Sequence, residues 1–228
     1  NWNRGNDITT MARNFGLGSL TGIGEVEELP GQINNPKSEL DAVNQAIGQG
    51  DMQVTPMQVA RFMAAIANGG TLYRPQIVER IQPVDGSPVL TFKPEAQGVL
   101  DLNPSNLTSL QEALLMVTQN SRGTAAFKLR GLQFDVAGKT GTAESGNGLS
   151  HAWFAGYTLN EANTKLPDIA IAVIVENIGE GSDYAVPLFR AMVEAYYYGK
   201  PVSIPTFGPI GEPPYTATPF GGGQSTQP

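Results

Sequence analysis

The chain has 228 residues, 40% of them hydrophobic and 15% charged, with a net charge of -7, one histidine and no cysteine. That length and apolar content suit one folded domain, or one large domain with an appendage. The acidic balance excludes nucleic-acid binding through a basic patch, and the missing thiols exclude disulfide scaffolds, thiol nucleophiles and zinc–thiolate sites. A single histidine, His151, excludes a multi-histidine metal centre and leaves a Ser-His-Asp triad to that residue alone.

No stretch approaches the roughly 20 apolar residues of a membrane span. The opening "NWNRGNDITTMARNFGLG" has neither an initiating Met nor the apolar core of a signal peptide. It reads as the middle of a longer protein.

In chain order, a short helix is expected over residues 7–15, stopped at Gly16 and Gly18. "LPGQINNP" reads as loop. Thr55 is a candidate N-cap, Pro56 fits the first helical position, and Gln58 completes a capping box. Val59, Phe62, Met63 and Ile66 then recur at helical spacing until Asn68-Gly69-Gly70 stops the helix. "PQIVERIQPVDGSPVLTF" predicts two short strands joined through an Asp85-Gly86 turn.

Asn103-Pro104 opens another helix, with Leu107, Leu110, Leu114 and Val117 on one face, running out near Ser121-Arg122-Gly123. Three strands are expected over residues 134–143, 152–158 and 169–176. The last is apolar without alternation, which predicts burial on both faces. A helix with Pro187 in its first turn follows, ended by Gly199 and Pro201. Residues 201–228 hold seven prolines, five glycines and one charge, a composition that reads as a flexible tail after a domain over residues 1–200.

"VAGKTGTAESGNGLSHAWFAGYT" places Lys139 among glycines in what otherwise reads as strand, turn, strand. Alternation puts Lys139 and Gly141 on one face and Thr140 and Thr142 on the other. Glycines there let an extended, peptide-like ligand lie along the backbone as an added strand. The lysine supplies a cation for a carboxylate, and a free strand N–H can stabilise an oxyanion. A phosphate loop fits poorly, because Gln133 stands where that motif needs glycine and no helix follows. The plain alternative is a surface turn with a solvated lysine. Trp153 and Phe154 are expected to divide between core and cleft by alternation. His151 reads as structural, and Ser145-Gly146-Asn147 as turn chemistry.

Lys139-Thr140-Gly141 resembles the K-T-G motif of penicillin-binding proteins and serine β-lactamases, which accompanies S-x-x-K and S-x-N. "FGLGSLTGI", "GQGDMQVTPMQVARFMAAIANGG", "SRGTA", "VAGKTGTAE" and "HAWFAGYT" stand in the order found in penicillin-binding transpeptidase domains, over about residues 6–200. Lys-Thr-Gly-Thr-Ala-Glu followed by His-Ala-Trp-Phe looks more like the class B, monofunctional type. The resemblance implies an α+β fold, an antiparallel sheet flanked by helices, here incomplete.

It also implies a D,D-transpeptidase. A serine would attack the D-Ala-D-Ala bond of a peptidoglycan stem peptide, and a neighbouring stem amine would resolve the acyl-enzyme. β-Lactams would acylate the same serine. No cofactor or metal is implied. Lys139 would hold the substrate carboxylate with help from the Thr140 and Thr142 hydroxyls. The Thr142 N–H would form half of an oxyanion hole, and Gly141 would leave room for the acyl group. The family setting is the extracytoplasmic face of the bacterial membrane, anchored through a preceding region, beside other cell-wall synthesis proteins.

No S-x-x-K occurs in the chain: Ser38, Ser87 and Ser121 each lack a lysine three residues on. Nor does an S-x-N precede Lys139. The nucleophile and its lysine are therefore expected upstream of Asn1, and this chain alone is expected not to acylate. The alternatives are a β-lactamase or β-lactam sensor of the same fold, and a non-catalytic scaffold that lost its serine.

Overall fold

The computed structural model describes residues 5–146, 148–159, 166–203, 205 and 207. The chain opens with α1 (Gly5–Asn14), β1 (Gln32–Ile33), α2 (Glu39–Ala46), β2 (Met52–Gln53) and α3 (Pro56–Ala67). Then come β3 (Thr71–Tyr73), β4 (Arg80–Ile81), β5 (Leu90–Thr91), β6 (Ala96–Val99) and α4 (Pro104–Gln119). The last part holds α5 (Ala126–Leu129), β7 (Asp135–Ala143), β8 (His151–Leu159), β9 (Ala170–Val175) and α6 (Ala185–Tyr198).

The expected long helices and strands form within a residue or two of their predicted ends. The Thr55 capping box is complete: Thr55 Oγ1 accepts from Gln58 N at 3.2 Å, and Gln58 Oε1 accepts from Thr55 N at 3.1 Å. Gln58 is buried, and its Nε2 also donates to Ser19 O at 2.6 Å and Pro30 O at 2.8 Å. One amide thus caps α3 and binds two points of the preceding loop. Asn103 caps α4 by accepting from Ser105 N at 3.0 Å. The strands around Asp85-Gly86 pair in antiparallel register, Arg80 with Thr91 and Ile81 with Leu90.

Strands β1, β2, β3 and β6 were not expected, and β1 lies within the stretch read as loop, where it pairs with β2 over two residues only. Two helices were not expected either. Helix α2 is capped by Ser38, whose hydroxyl accepts from Asp41 N at 3.1 Å. Its apolar residues Leu40 and Val43 are exposed, so no buried stripe marks it in the sequence. Helix α5 is a single turn with no side-chain cap.

The centre is a three-stranded antiparallel sheet in the order β7-β8-β9. Its two faces carry two cores. Val136, Phe154 and Val173 pack with Phe189 and Val193 of α6 and Leu129 of α5. Ala137, Ala155 and Tyr157 pack with Val59, Met63 and Ile66 of α3 and Leu114 of α4. β9 therefore has apolar partners on both faces, as its unbroken apolar run predicts. The arrangement is an α+β fold, an antiparallel sheet flanked by helices. Among the described residues no helix is long and apolar enough to cross a membrane.

At the end of α6 the carboxylate of Glu194, 2% exposed, gathers the following segment. It accepts from Arg190 Nε at 2.9 Å, Val202 N at 2.8 Å, Ser203 N at 2.7 Å and Ser203 Oγ at 2.8 Å. The expected tail begins at residue 201, and apart from 201–203, 205 and 207 it lies outside the described residues. Burial alone would raise the Glu194 carboxyl, but its hydrogen bonds to Ser203, Arg190 and Val202 outweigh that and hold it below the ordinary glutamate value. Glu28 behaves likewise: burial is offset by donors from Thr21, Gly22 and Ile23.

A depressed folded-state value means the stabilisation is present above the ordinary value of 4.5 and is lost as pH falls through the depressed one. Glu194→Gln should cost about 2–3 kcal/mol near neutral pH, the range for breaking a buried, hydrogen-bonded charge. It should also flatten the acid-side loss of stability, read from urea midpoints measured across the acid range.

Candidate active site

The stretch around Lys139 forms most of β7, and β7 is an edge of the sheet. Among the described residues it pairs with β8 alone: Lys139 opposes Ala155, Thr140 opposes Phe154, Gly141 opposes Trp153 and Thr142 opposes Ala152. In an antiparallel ladder alternate residues turn their N–H and C=O toward the partner or away from it. Here the carbonyl of Thr140 accepts from Lys139 Nζ at 2.8 Å and that of Thr142 from Gln49 Nε2 at 3.2 Å. Both carbonyls thus face the free edge, and alternation turns the N–H groups of Thr140 and Thr142 the same way.

The faces divide as expected. Lys139 and Gly141 share the face of Ala155 and Trp153, toward α3. Along this face runs a cleft of about 650 Å³. Its lining takes in Gln49, Met52, His151 and Trp153 and the β7 run from Lys139 to Thr142. Trp153 is half-buried in the cleft and Phe154 is fully buried in the opposite core, as the alternation predicts. Thr140 and Thr142 face the other way. Thr140 Oγ1 lies 2.7 Å from Thr124 Oγ1, and Thr142 Oγ1 donates to Glu180 Oε2 at 2.9 Å.

The glycines work differently from the open face expected of them. A β-carbon on Gly138 would stand 2.6 Å from Phe154 Cζ and 2.7 Å from Ala155 O. Gly156, directly opposite, meets the same ring, so the pair forms a bare floor for Phe154. That ring also meets Phe189 in a T-shaped pair, with centroids 4.7 Å apart. Gly138 therefore serves the core. Gly141 alone lies on the cleft face, where a β-carbon would come within 3.1 Å of Trp153 Cβ.

His151 Nδ1 accepts from Asn177 N at 3.1 Å, and Asn177 has φ of +52°. The ring is thus engaged in holding the β9–α6 turn. Ser145 Oγ donates to Leu149 O at 2.6 Å, consistent with turn chemistry there; Asn147 lies outside the described residues. Among the described residues no group of three or more His, Asp or Glu could hold a metal ion.

Gln49, Thr124 and Glu180 were not picked out from the sequence. Gln49 reaches Thr142 across 93 residues and Glu180 across 38. No local pattern encodes such distances. Thr124 sits within the quoted "SRGTA" and Gln49 at the start of the quoted "GQGDMQVTPMQVARFMAAIANGG", the signals that pointed toward them.

Residues 4–194 match the penicillin binding protein transpeptidase domain. The chain is 36% identical to the peptidoglycan D,D-transpeptidase PbpA of Mycolicibacterium smegmatis over 161 residues, 66% of this chain and 30% of that protein. Penicillin-binding protein A from M. tuberculosis, solved as an imipenem acyl-enzyme complex, superposes with a TM-score of 0.70 at 30% identity, covering 82% of this chain and 41% of that one. A peptidoglycan synthase complex that coordinates polymerization and crosslinking superposes with a TM-score of 0.69 at 33% identity, covering 84% and 33%. The chain belongs to the penicillin-binding protein transpeptidase domain family. It spans less than half the length of each of these relatives.

Gly181 locks the β9–α6 loop over the site. A β-carbon there would fall 2.2 Å from Trp153 O and 2.5 Å from Gly141 O. Gly181→Ala should therefore lower stability by about 1–3 kcal/mol, the usual cost of overpacking against groups that cannot yield. Calorimetric melting against the parent sequence checks it.

Proposed function

We propose that the chain is the substrate-binding wall of a class B peptidoglycan D,D-transpeptidase. The observation that carries this reading is the free edge of β7, whose Thr140 and Thr142 N–H groups point outward beside Lys139. An extended stem peptide lies along that edge as an added strand. Its terminal carboxylate is held by Lys139 with help from the hydroxyls at Thr140 and Thr142. The Thr142 N–H supplies half of the oxyanion hole, and Gly141 keeps the strand open for the acyl group.

The reaction is acyl transfer. A serine oxygen bonds to the carbonyl carbon of the penultimate D-Ala, the C–N bond breaks, and terminal D-Ala leaves with the proton. A stem-peptide amine then bonds to the same carbon, the serine oxygen departs, and the cross-link remains. The serine and its lysine come from outside these 228 residues, because no S-x-x-K occurs within them. This chain alone does not acylate. β-Lactams take the same serine, a reading supported by the relative captured with imipenem. The full protein works at the extracytoplasmic face of the membrane, anchored through its preceding region. It works beside other cell-wall synthesis proteins, in keeping with the synthase complex it resembles.

The coding sequence before Asn1 should contain S-x-x-K and S-x-N. The full-length protein should form a covalent adduct with fluorescent penicillin that persists on intact-mass spectra. Rapid loss of the adduct would indicate a β-lactamase, and no adduct would refute acylation. Lys139→Ala should slow adduct formation about 10²–10³-fold, the size of effect seen when one preorganised electrostatic group is removed. Stopped labelling followed on gels measures it.

A further inference from the structure

We propose that Gln49 is a specificity-determining residue of the site: its side-chain amide holds the Thr142 carbonyl until an amide N–H of the ligand, next to the scissile carbonyl, takes its place. The inference rests on the transpeptidase reading and deepens it.

The direction of the ligand follows from that reading. A carboxylate held by Lys139 and a scissile carbonyl at the Thr142 N–H make the peptide run against β7, its C-terminus toward Lys139. In an antiparallel pair, the residue that accepts from a strand N–H also donates its own N–H to the C=O of the same strand residue. The residue bearing the scissile carbonyl therefore turns its N–H onto the Thr142 carbonyl. That carbonyl already has a donor, Gln49 Nε2 at 3.2 Å. Protein and ligand offer the same chemical group, an amide N–H, to one acceptor.

Gln49 is aimed by the end of α2. Gly48 N donates to Gln45 O at 3.0 Å and Gln49 N to Asn44 O at 2.9 Å, the paired bonds by which a helix ends on a left-handed residue. Gly48 is that residue, with φ of +74°, and Gly50, at +79°, turns the chain again. Just beyond, Met52 and Gln53 pair with Ile33 and Gln32. The backbone at Gln49 is thus tied on both sides, and its side chain is half-buried where it lines the cleft. Rotation of that side chain releases the Thr142 carbonyl without moving the loop.

The exchange concerns one class of ligand. Acyl-D-Ala-D-Ala peptides and acylamino penicillins carry an N–H beside the scissile carbonyl. They give Thr142 a new bond for the one they break, so they keep the difference between two bonds rather than the whole of one. Penicillanic acid has hydrogens where those penicillins carry the acylamino group. Nothing on it competes for the carbonyl, and Gln49 stays in place.

The test uses the full-length protein and two β-lactams. Benzylpenicillin is read by its second-order rate constant of acylation, and penicillanic acid by how far it slows that labelling. Gln49→Ala should raise the benzylpenicillin constant about three- to tenfold, the net worth of one neutral hydrogen bond against water. The apparent inhibition constant of penicillanic acid should stay within about twofold, because no hydrogen bond is exchanged. Gln49→Met, of similar length but without an N–H, should share the gain.

Slower or unchanged acylation by benzylpenicillin in Gln49→Ala overturns the proposal. An equal gain for both β-lactams also overturns it, since Gln49 would then obstruct every ligand rather than compete with one group. So does a gain in the alanine variant that the methionine variant lacks, which assigns the effect to bulk. A wild-type protein that forms no adduct with benzylpenicillin overturns the transpeptidase reading and this inference with it. An adduct that forms normally but ignores Gln49 overturns this inference alone.

Discussion

The register between β7 and β8 is the constraint on which the site depends. A slip of one residue would carry Lys139 from the cleft to the opposite core and bring Thr140 into the cleft. The register is held by a steric coincidence that few residues satisfy. Gly138 and Gly156 meet face to face, and the ring of Phe154 occupies the space that their side chains would fill. In a pairing shifted by one or two residues that ring would stand over a β-carbon. The hydrophobic core thereby sets the position of a solvent-exposed lysine.

Much of this was legible in the sequence, where local chemistry and burial agree. The capping box before α3, the proline opening α4 and the alternation along β7 each encode their element in a few residues. They identify the two faces of the site strand correctly. Helix α2 escaped because its apolar side chains meet solvent, so periodicity had nothing to report; only the Ser38 cap marked its start. The glycines were legible as unusual but not as to purpose. A glycine that admits a ligand and one that admits a phenyl ring look the same in one dimension. The long-range partners Gln49 and Glu180 were not legible, because their contacts with Thr142 arise only once the chain has folded.

Charge is sparse around the site, and its few carriers have distinct duties. Lys139 is exposed and bends back on the carbonyl of its own neighbour, so its ammonium is placed without being buried. The carboxylates that are desolvated, Glu194 and Glu28, are each surrounded by backbone N–H groups and serve to fasten loops. Structural charge is kept inside and binding charge outside. That division lets the cleft respond to a ligand without disturbing the framework that shapes it.

Gln58 links two kinds of order that are usually separate. Its side chain completes the first turn of α3 and also holds the carbonyls of Ser19 and Pro30. The loop between those points therefore cannot fray while the helix stays intact, nor can the helix unwind its first turn and leave the loop in place. In hydrogen-exchange terms, the amides of that loop and of the first turn of α3 belong to one opening unit, protected and released together. A surface segment with almost no regular structure inherits the persistence of a buried helix.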